Sequence, residues 1–463
     1  MSRNSVDDLK ARYGDRWRWL AVLTVMLGTM ATVLSATVVN VALPDIMSEF
    51  GIRQGKAHWL ATGFIAAMTT TMLASAWLLD HFGIRKTLGC AMAMFSLVSI
   101  LGGFSPDANT LILARVAQGA MAGLMQPMAM YLIFRIFPRE RRGQAMGIYG
   151  MGVILAPALG PVLGGFLVDQ LHWRYVMFAP APVTLLGVVM TWRFLPRPVS
   201  RPQPYRFDLP GLVLLGITIA SSLDALNRLQ QFTGQQGLIA AEAALALLTL
   251  SAFVVRERRA RHPLLNITLL RRPAFLYASI GALALGLSLF GSTYLIPLFV
   301  QSALSFSATE AGLLMLPAGI ALGITFPISG RLADHYSARS LILVGIGLFS
   351  LSAVLFALSD LALGFFWLAL WAVLGRIGLG FMLPALSTGA LNPLAVEELG
   401  AGSSIINFTR QLGGAYGINA VALTLEYGDQ AGGLPTIEAF HTAWWLVAAC
   451  VALAVLPVWR MRA

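Results

Sequence analysis

The side chains able to do chemistry in this chain are charged and polar groups set in long apolar stretches. One is Asp80 in Ala76-Trp-Leu-Leu-Asp80-His-Phe-Gly83-Ile-Arg85-Lys86, where an apolar run meets an acid, a glycine and two bases. A carboxylate at a helix end can pair with a base or accept from the free N–H groups of a neighbouring helix terminus, and glycine permits a tight turn. The pattern returns at Gly330-Arg-Leu-Ala-Asp334-His-Tyr-Ser-Ala-Arg339. Leu78, Asp80, His81 and Arg85 match Leu332, Asp334, His335 and Arg339 at an offset of 254 residues. One copy alone reads as an ordinary charged loop. Two in register, each after an apolar run, read as a duplicated clamp. Asp80, Gly83, Arg85, Asp334 and Arg339 are therefore the candidate gating residues.

A second set lies inside the apolar runs. Ala114-Arg115-Val-Ala-Gln118-Gly119 places an arginine and an amide one turn apart, and Gly375-Arg376-Ile-Gly-Leu-Gly380 echoes it weakly. An arginine at such depth is costly unless it faces protein or water. Its alternative role is structural, bonded to backbone carbonyls. Asn40, Gln126, Asn407, Arg410 and Gln411 also need inward partners. The run from Gly152 to Gly165 carries Pro157, Gly160, Pro161, Gly164 and Gly165. Glycines four apart let helices touch, and prolines allow a bend. The run reads as a hinge seam between two halves or as a static packing seam. Met121, Met125 and Met128 suit either an adaptable lining or ordinary packing.

Proton carriers are scarce. Asp224 and Glu242 lie toward the outer ends of their runs, and Arg228 follows Asp224 at helical salt-bridge spacing. Glu310 reads as a helix-start acid. No histidine falls deep in a run. Neither a nucleophile nor a metal cluster stands near a run end, and the phosphate-binding Gly-x-x-x-x-Gly-Lys-Ser/Thr loop is missing. No catalytic residue, metal or cofactor is expected, and an enzyme is disfavoured.

The elements that must position these groups follow from composition. The 463 residues are 57% hydrophobic and only 11% charged, against roughly 25% charged in soluble domains. The expectation is an all-α integral membrane protein. The net charge of +11 does not imply a nucleic-acid partner, because the bases sit in short segments between apolar runs. Runs of about 20 apolar residues number fourteen. With the N-terminus cytoplasmic, 25 of the 32 Lys and Arg fall on the cytoplasmic side, so both termini are expected there. Cys90 and Cys450 lie within runs and read as buried filler. The first run is too long for a signal-peptide core and reads as a retained anchor.

The repeat offset maps spans 1–6 onto spans 9–14. Residues 1–196 should form one six-helix bundle and 273–463 a pseudo-symmetric second. Residues 197–272 should supply linkers and two inserted transmembrane helices. The proline-rich stretch from Arg193 to Arg206 should be extended, with Asp208 starting the next helix.

Together these motifs resemble the major facilitator superfamily. The resemblance rests on the Asp80 signature, Arg115 with Gln118-Gly119, and the Gly160-Pro161…Gly164-Gly165 run, which is similar to the family's antiporter motif. Leu34-Ser-Ala-Thr37-Val-Val-Asn40-Val-Ala-Leu-Pro44, Trp173-Arg174 and Asn407-Phe-Thr-Arg410-Gln411-Leu-Gly413-Gly414 look like its fourteen-helix drug/proton antiporter branch. The resemblance implies alternating access, with protons entering as small amphiphilic compounds leave across the cytoplasmic membrane. A periplasmic adaptor protein is a further partner of that picture. One departure bears on mechanism: Ser35 stands where the family usually has an acid. Ala76, His81 and Ser337 are minor departures. With no acid at position 35, Arg115 would present net positive charge, and substrates would be neutral, zwitterionic or anionic. The competing readings are an uptake permease, a membrane enzyme, and a receptor or channel.

Overall fold

The computed structural model describes residues 6–197, 206–230, 236–360, 363–428 and 437–461, and among these there is no strand. The helices are α1 (Val6–Tyr13), α2 (Arg16–Phe50), α3 (Gln54–Ala57), α4 (Trp59–Met72), α5 (Ala74–Gly103), α6 (Ala108–Ile136), α7 (Arg142–Gln170), α8 (Arg174–Phe178), α9 (Ala181–Phe194) and α10 (Leu209–Gln230). There follow α11 (Gln236–Arg259), α12 (Ile267–Leu270), α13 (Pro273–Ser302), α14 (Ala308–Ala333), α15 (Ala338–Ala357), α16 (Phe365–Leu391), α17 (Leu399–Gly428), α18 (Ile437–Leu453) and α19 (Val455–Trp459).

Local chemistry sets where several begin. The Asp107 carboxylate accepts from the N–H groups of Asn109 and Thr110 at 2.8 and 3.0 Å, capping α6. Ser307 and Glu310 form a reciprocal capping box at α14, so Glu310 is a helix-start acid. Asp208 accepts from the Gly211 N–H at 3.1 Å and pairs with Arg256 at 2.6 Å, tying the start of α10 to the end of α11.

Within α5 the path bends at Gly83, whose φ of 73° and ψ of 161° fall in a region that side-chain-bearing residues avoid. The apolar rod before Asp80 thus turns into the rod after Arg85. Gly83→Val is expected to cost about 1–3 kcal/mol and to lower the thermal unfolding midpoint of the purified protein. An unchanged midpoint would contradict the bend.

Among the described residues, ten segments are long and apolar enough to cross a membrane: α2, α5, α8–α9, α10, α11, α13, α14, α15, α16 and α18–α19. The difference from the expected fourteen lies in four helices. α4 has only 14 residues. α7 includes residues whose side chains lie outside the described set. α6 and α17 are rich in small and polar side chains such as Arg115, Gln118, Asn407 and Gln411. Those residues face protein, not lipid.

In the first half of the chain α2 packs on α6, α7 and α9, α4 on α6, and α5 on α6 and α9. In the second half α13 packs on α16 and α17, α14 on α16, and α15 on α16 and α18. The halves meet where α7 lies on α14 and α6 on α17. α10 pairs with α11 and touches both α4 and α17. α11 leaves Leu245, Leu247, Leu248 and Leu250 exposed, as suits a helix covered by lipid tails. Cys90 is exposed on α5 and Cys450 partly so; both are free thiols. The expectation of buried filler is corrected at Cys90: its apolar run has a lipid-side face.

Candidate functional site

Three arginines lie within the helical core. Arg115 on α6 is 1% exposed. Its Nε donates to the Leu60 carbonyl at 3.0 Å, and Nη1 donates to Ser35 Oγ at 2.9 Å and Gln118 Oε1 at 2.6 Å. Gln118 donates onward to Ser99 Oγ at 2.9 Å, and Ser99 to the Met177 carbonyl at 2.6 Å. The Phe64 ring lies under the guanidinium, 4.2 Å away. The expected pairing of Arg115 with Gln118 is thus present, and every acceptor is neutral.

Arg376 on α16 repeats the theme: its Nη2 donates to Thr293 Oγ1 at 2.9 Å. Each half of the chain therefore sets an arginine against a hydroxyl on its own long leading helix, α2 or α13. Arg410 on α17 is half-buried and crosses between the halves. Its Nη2 donates to Asn407 Oδ1 at 2.9 Å and to Gln126 Oε1 of α6 at 3.3 Å. Among the described residues, none of the three pairs with a carboxylate. A buried cation without a counter-charge is expensive, and neutral acceptors offset only part of that cost.

The clamp residues divide their work. Asp334, just past α14, accepts from the N–H groups of Gly143 and Gln144 at 2.6 and 2.9 Å, so a carboxylate of the second half caps α7 of the first. Arg142 beside it donates to Asn392 Oδ1 at 3.0 Å. Asp80 occupies the mirrored place over the start of α17, with Oδ1 4.0 Å from where a Cβ on Gly400 would sit. Burial pushes the Asp334 carboxyl above the usual carboxylate range, and the two N–H bonds oppose the shift. The arginines of the signature turn inward within their own halves. Arg85 donates to the Trp192 carbonyl and lies over its ring, while Arg339 lies 4.7 Å over the Trp459 ring.

Gly160 and Gly164 of the Gly-Pro run of α7 pack within their own half, while Ile154 of the same run faces Gly323 of α14. A Cβ on Gly160 would strike Thr37, and one on Gly164 would sit 3.2 Å from the Val38 carbonyl and Val41, all on α2 of the same half. Gly165 faces open space. Pro157 is partly exposed, and the side chain of Pro161 lies outside the described residues. The closest inter-half backbone approach is at the start of α7, where Gly143 meets the Gly330 carbonyl and Gly147 meets that of Phe326. Spacing shows that a helix has a close neighbour, not which one. Asn40 is exposed and, among the described residues, makes no side-chain hydrogen bond, so it does not join the inward polar set. The reason is angular: it lies just off the α2 face that meets α7. Gln411 is buried in α17 but takes no part in the Arg410 cluster.

Sequence reasoning missed Gly143, Gly147 and the Thr293 hydroxyl, none of which sits in a motif. It also missed that Arg228 bridges Asp224 and Glu242, at 3.0 Å to each, and so joins α10 to α11. Met125 and Met128 are fully buried core.

The chain matches the model of the Major Facilitator Superfamily over residues 25–418. It is 31% identical over 420 residues to the multidrug export protein EmrB of Escherichia coli (strain K12), covering 86% of this chain and 78% of that one. It is likewise 31% identical over 415 residues to the multidrug resistance protein B homolog of Mycobacterium tuberculosis (strain ATCC 25618 / H37Rv), covering 88% and 76%. The crystal structure of the human organic anion transporter MFSD10 shares the fold, with a TM-score of 0.67 at 16% identity, over 95% of this chain and 99% of that one. Apolar helices around buried arginines, a carboxylate clamp between halves and a family match across most of the sequence agree: this chain is a multi-pass membrane transporter belonging to the major facilitator superfamily.

Proposed function

We propose that the protein exports amphiphilic compounds of neutral, zwitterionic or anionic character across the cytoplasmic membrane, driven by proton entry. In this reading fourteen helices cross the bilayer and both termini face the cytoplasm. Residues 1–196 and 273–463 rock against each other, and residues 197–272 add the pair α10–α11. Relatives named as multidrug exporters support the export direction.

The observation that carries the substrate class is the set of three core arginines with neutral partners only. Arg410, the one that is partly exposed, stands where the halves meet and is placed to receive an anionic group. Arg115 and Arg376 are closed off and act through their field, which low-dielectric surroundings leave poorly screened.

The test is a proteoliposome assay with an imposed pH gradient and two dyes of similar size and opposite charge. Uphill transport of the anionic dye, collapsed by an uncoupler, is the expected result. Transport indifferent to the uncoupler removes proton coupling, and a preference for the cationic dye removes the substrate class.

A further inference from the structure

The lipid-facing side of α11 ends on positive charge. Leu247 and Leu248 are 65% and 69% exposed, and Val254 and Val255 are 39% and 50% exposed. At about 3.6 residues per turn, these four share one face with Arg258 and Arg259, which stand one turn further on. Both arginines are exposed. Leu238, near the other end of the helix, is exposed too. From Leu238 to Val255 the helix rises about 26 Å at about 1.5 Å per residue, close to the roughly 30 Å of a bilayer's hydrocarbon core. The turn that carries the arginines therefore stands at the level of the headgroups.

The acids close by in the chain are already engaged. Asp208 accepts from Arg256 at 2.6 Å. Glu257 is 4% exposed and accepts from the N–H groups of Leu264 and Leu265 at 3.2 and 3.0 Å. Those two bonds fold the chain back against the foot of α11, and Leu264 and Leu265 pack on the core. The loop is held by its apolar side and leaves Arg258, Arg259 and Arg261 facing outward, all exposed. Among the described residues, none of the three pairs with a carboxylate. A guanidinium suits a phosphate, which it can grip through two parallel N–H donors.

We propose that the foot of α11 binds one anionic phospholipid. The phosphate lies on Arg258 and Arg259 with Arg261 beside them, and the acyl tails cover Leu247, Leu248, Val254 and Val255. An apolar stripe that runs into adjacent cations matches a molecule with tails and a charged head. A soluble anion would leave the stripe uncovered, and an apolar protein helix would leave the cations unanswered. The face lies away from the contact between the halves. The site is therefore distinct from the Arg410 cluster and independent of what the protein transports.

Ser251 lies on the same stripe and is exposed, so it can carry a local reporter. The full-length chain with Ser251→Cys, in a Cys90→Ala and Cys450→Ala background, is labelled with bimane and reconstituted in phosphatidylcholine vesicles. Quenching by phosphatidylglycerol brominated at mid-chain is compared with quenching by phosphatidylcholine brominated likewise. Phosphatidylglycerol is expected to bind at least about tenfold more tightly, since each arginine near an anionic headgroup adds about a fivefold preference. Arg258→Gln with Arg259→Gln should bring the ratio to about one, and Arg258→Lys with Arg259→Lys should keep part of the preference. Arg139→Gln with Arg141→Gln, exposed bases before α7, should leave the ratio unchanged. An equal fall in that control would mean a general effect of surface charge and overturn the proposal. Equal quenching by the two lipids would overturn it as well. Quenching by neither would mean that protein covers the face, and loss of the preference on adding inorganic phosphate at constant ionic strength would make soluble phosphate the occupant; each overturns it.

Discussion

Ser35→Asp is expected to reverse the dye preference of the transporter by at least about tenfold toward the cation. Ser35 Oγ accepts from Arg115 at 2.9 Å, so a carboxylate at this position would pair directly with the guanidinium. At an effective dielectric constant near 20, unit charges 4 Å apart interact by about 4 kcal/mol. A tenfold change in relative affinity needs only about 1.4 kcal/mol, so a fraction of that field reaching the substrate suffices. Arg115→Met removes the same charge and also orphans the Leu60 carbonyl, the Ser35 hydroxyl and the Gln118 amide oxygen. At roughly 1–3 kcal/mol for each stranded acceptor, export should fall about 100-fold or more. Ser35→Asp is read as the ratio of anionic to cationic dye transported, in which expression level cancels, and Arg115→Met as the initial export rate per mole of reconstituted protein. A ratio unchanged in Ser35→Asp would show that the field does not select the substrate.

Gly143→Val is expected to break the closure between α7 and α14. A Cβ on Gly143 would overlap the Gly330 carbonyl and crowd Asp334 Oδ1. The obstacle is backbone, which cannot rotate away as a side chain would, so overpacking of roughly 1–3 kcal/mol is a lower bound. Asp334→Asn tests the same contact electrostatically: its one amide oxygen keeps a single neutral bond, its NH₂ faces the other N–H as a second donor, and the closed–open equilibrium should shift at least about tenfold. Spin labels placed by Glu140→Cys and Tyr336→Cys, in a Cys90→Ala background, report the separation across the clamp. Both positions are exposed. The expected outcome is a longer, broader distance distribution for Gly143→Val and a partial lengthening for Asp334→Asn. A distribution identical to that of the parent would remove the clamp from the gating mechanism.

The duplicated acid was legible because a carboxylate beside a glycine at the end of an apolar run has few physical uses, and Asp334 takes one of them by capping α7. The inward Arg115–Gln118 pair was equally legible, since neither group can face lipid. Other features were not. The Gly160–Gly164 spacing required a close neighbour, but only the packing of α7 made that neighbour α2. Gly143 carries the inter-half contact without belonging to any pattern, because a single glycine looks the same in a turn or a seam, and Gly330 opens the second signature without any sign that it faces α7. Asn40 shares a motif with Thr37, which does face α7, yet lies outside the polar set. Counting by apolarity was least dependable for α6 and α17, whose polar and small residues serve the interior.

The acid-free arginines carry a consequence for energetics at the membrane. An exporter that exchanges an inward proton for an outward cation moves no net charge, and voltage cannot drive it. Where the departing molecule is a monovalent anion, both movements carry positive current inward, and two elementary charges cross in each cycle. Voltage then contributes about 4.6 kcal/mol per 100 mV, so an energised cell could expel such compounds even with equal pH on both sides.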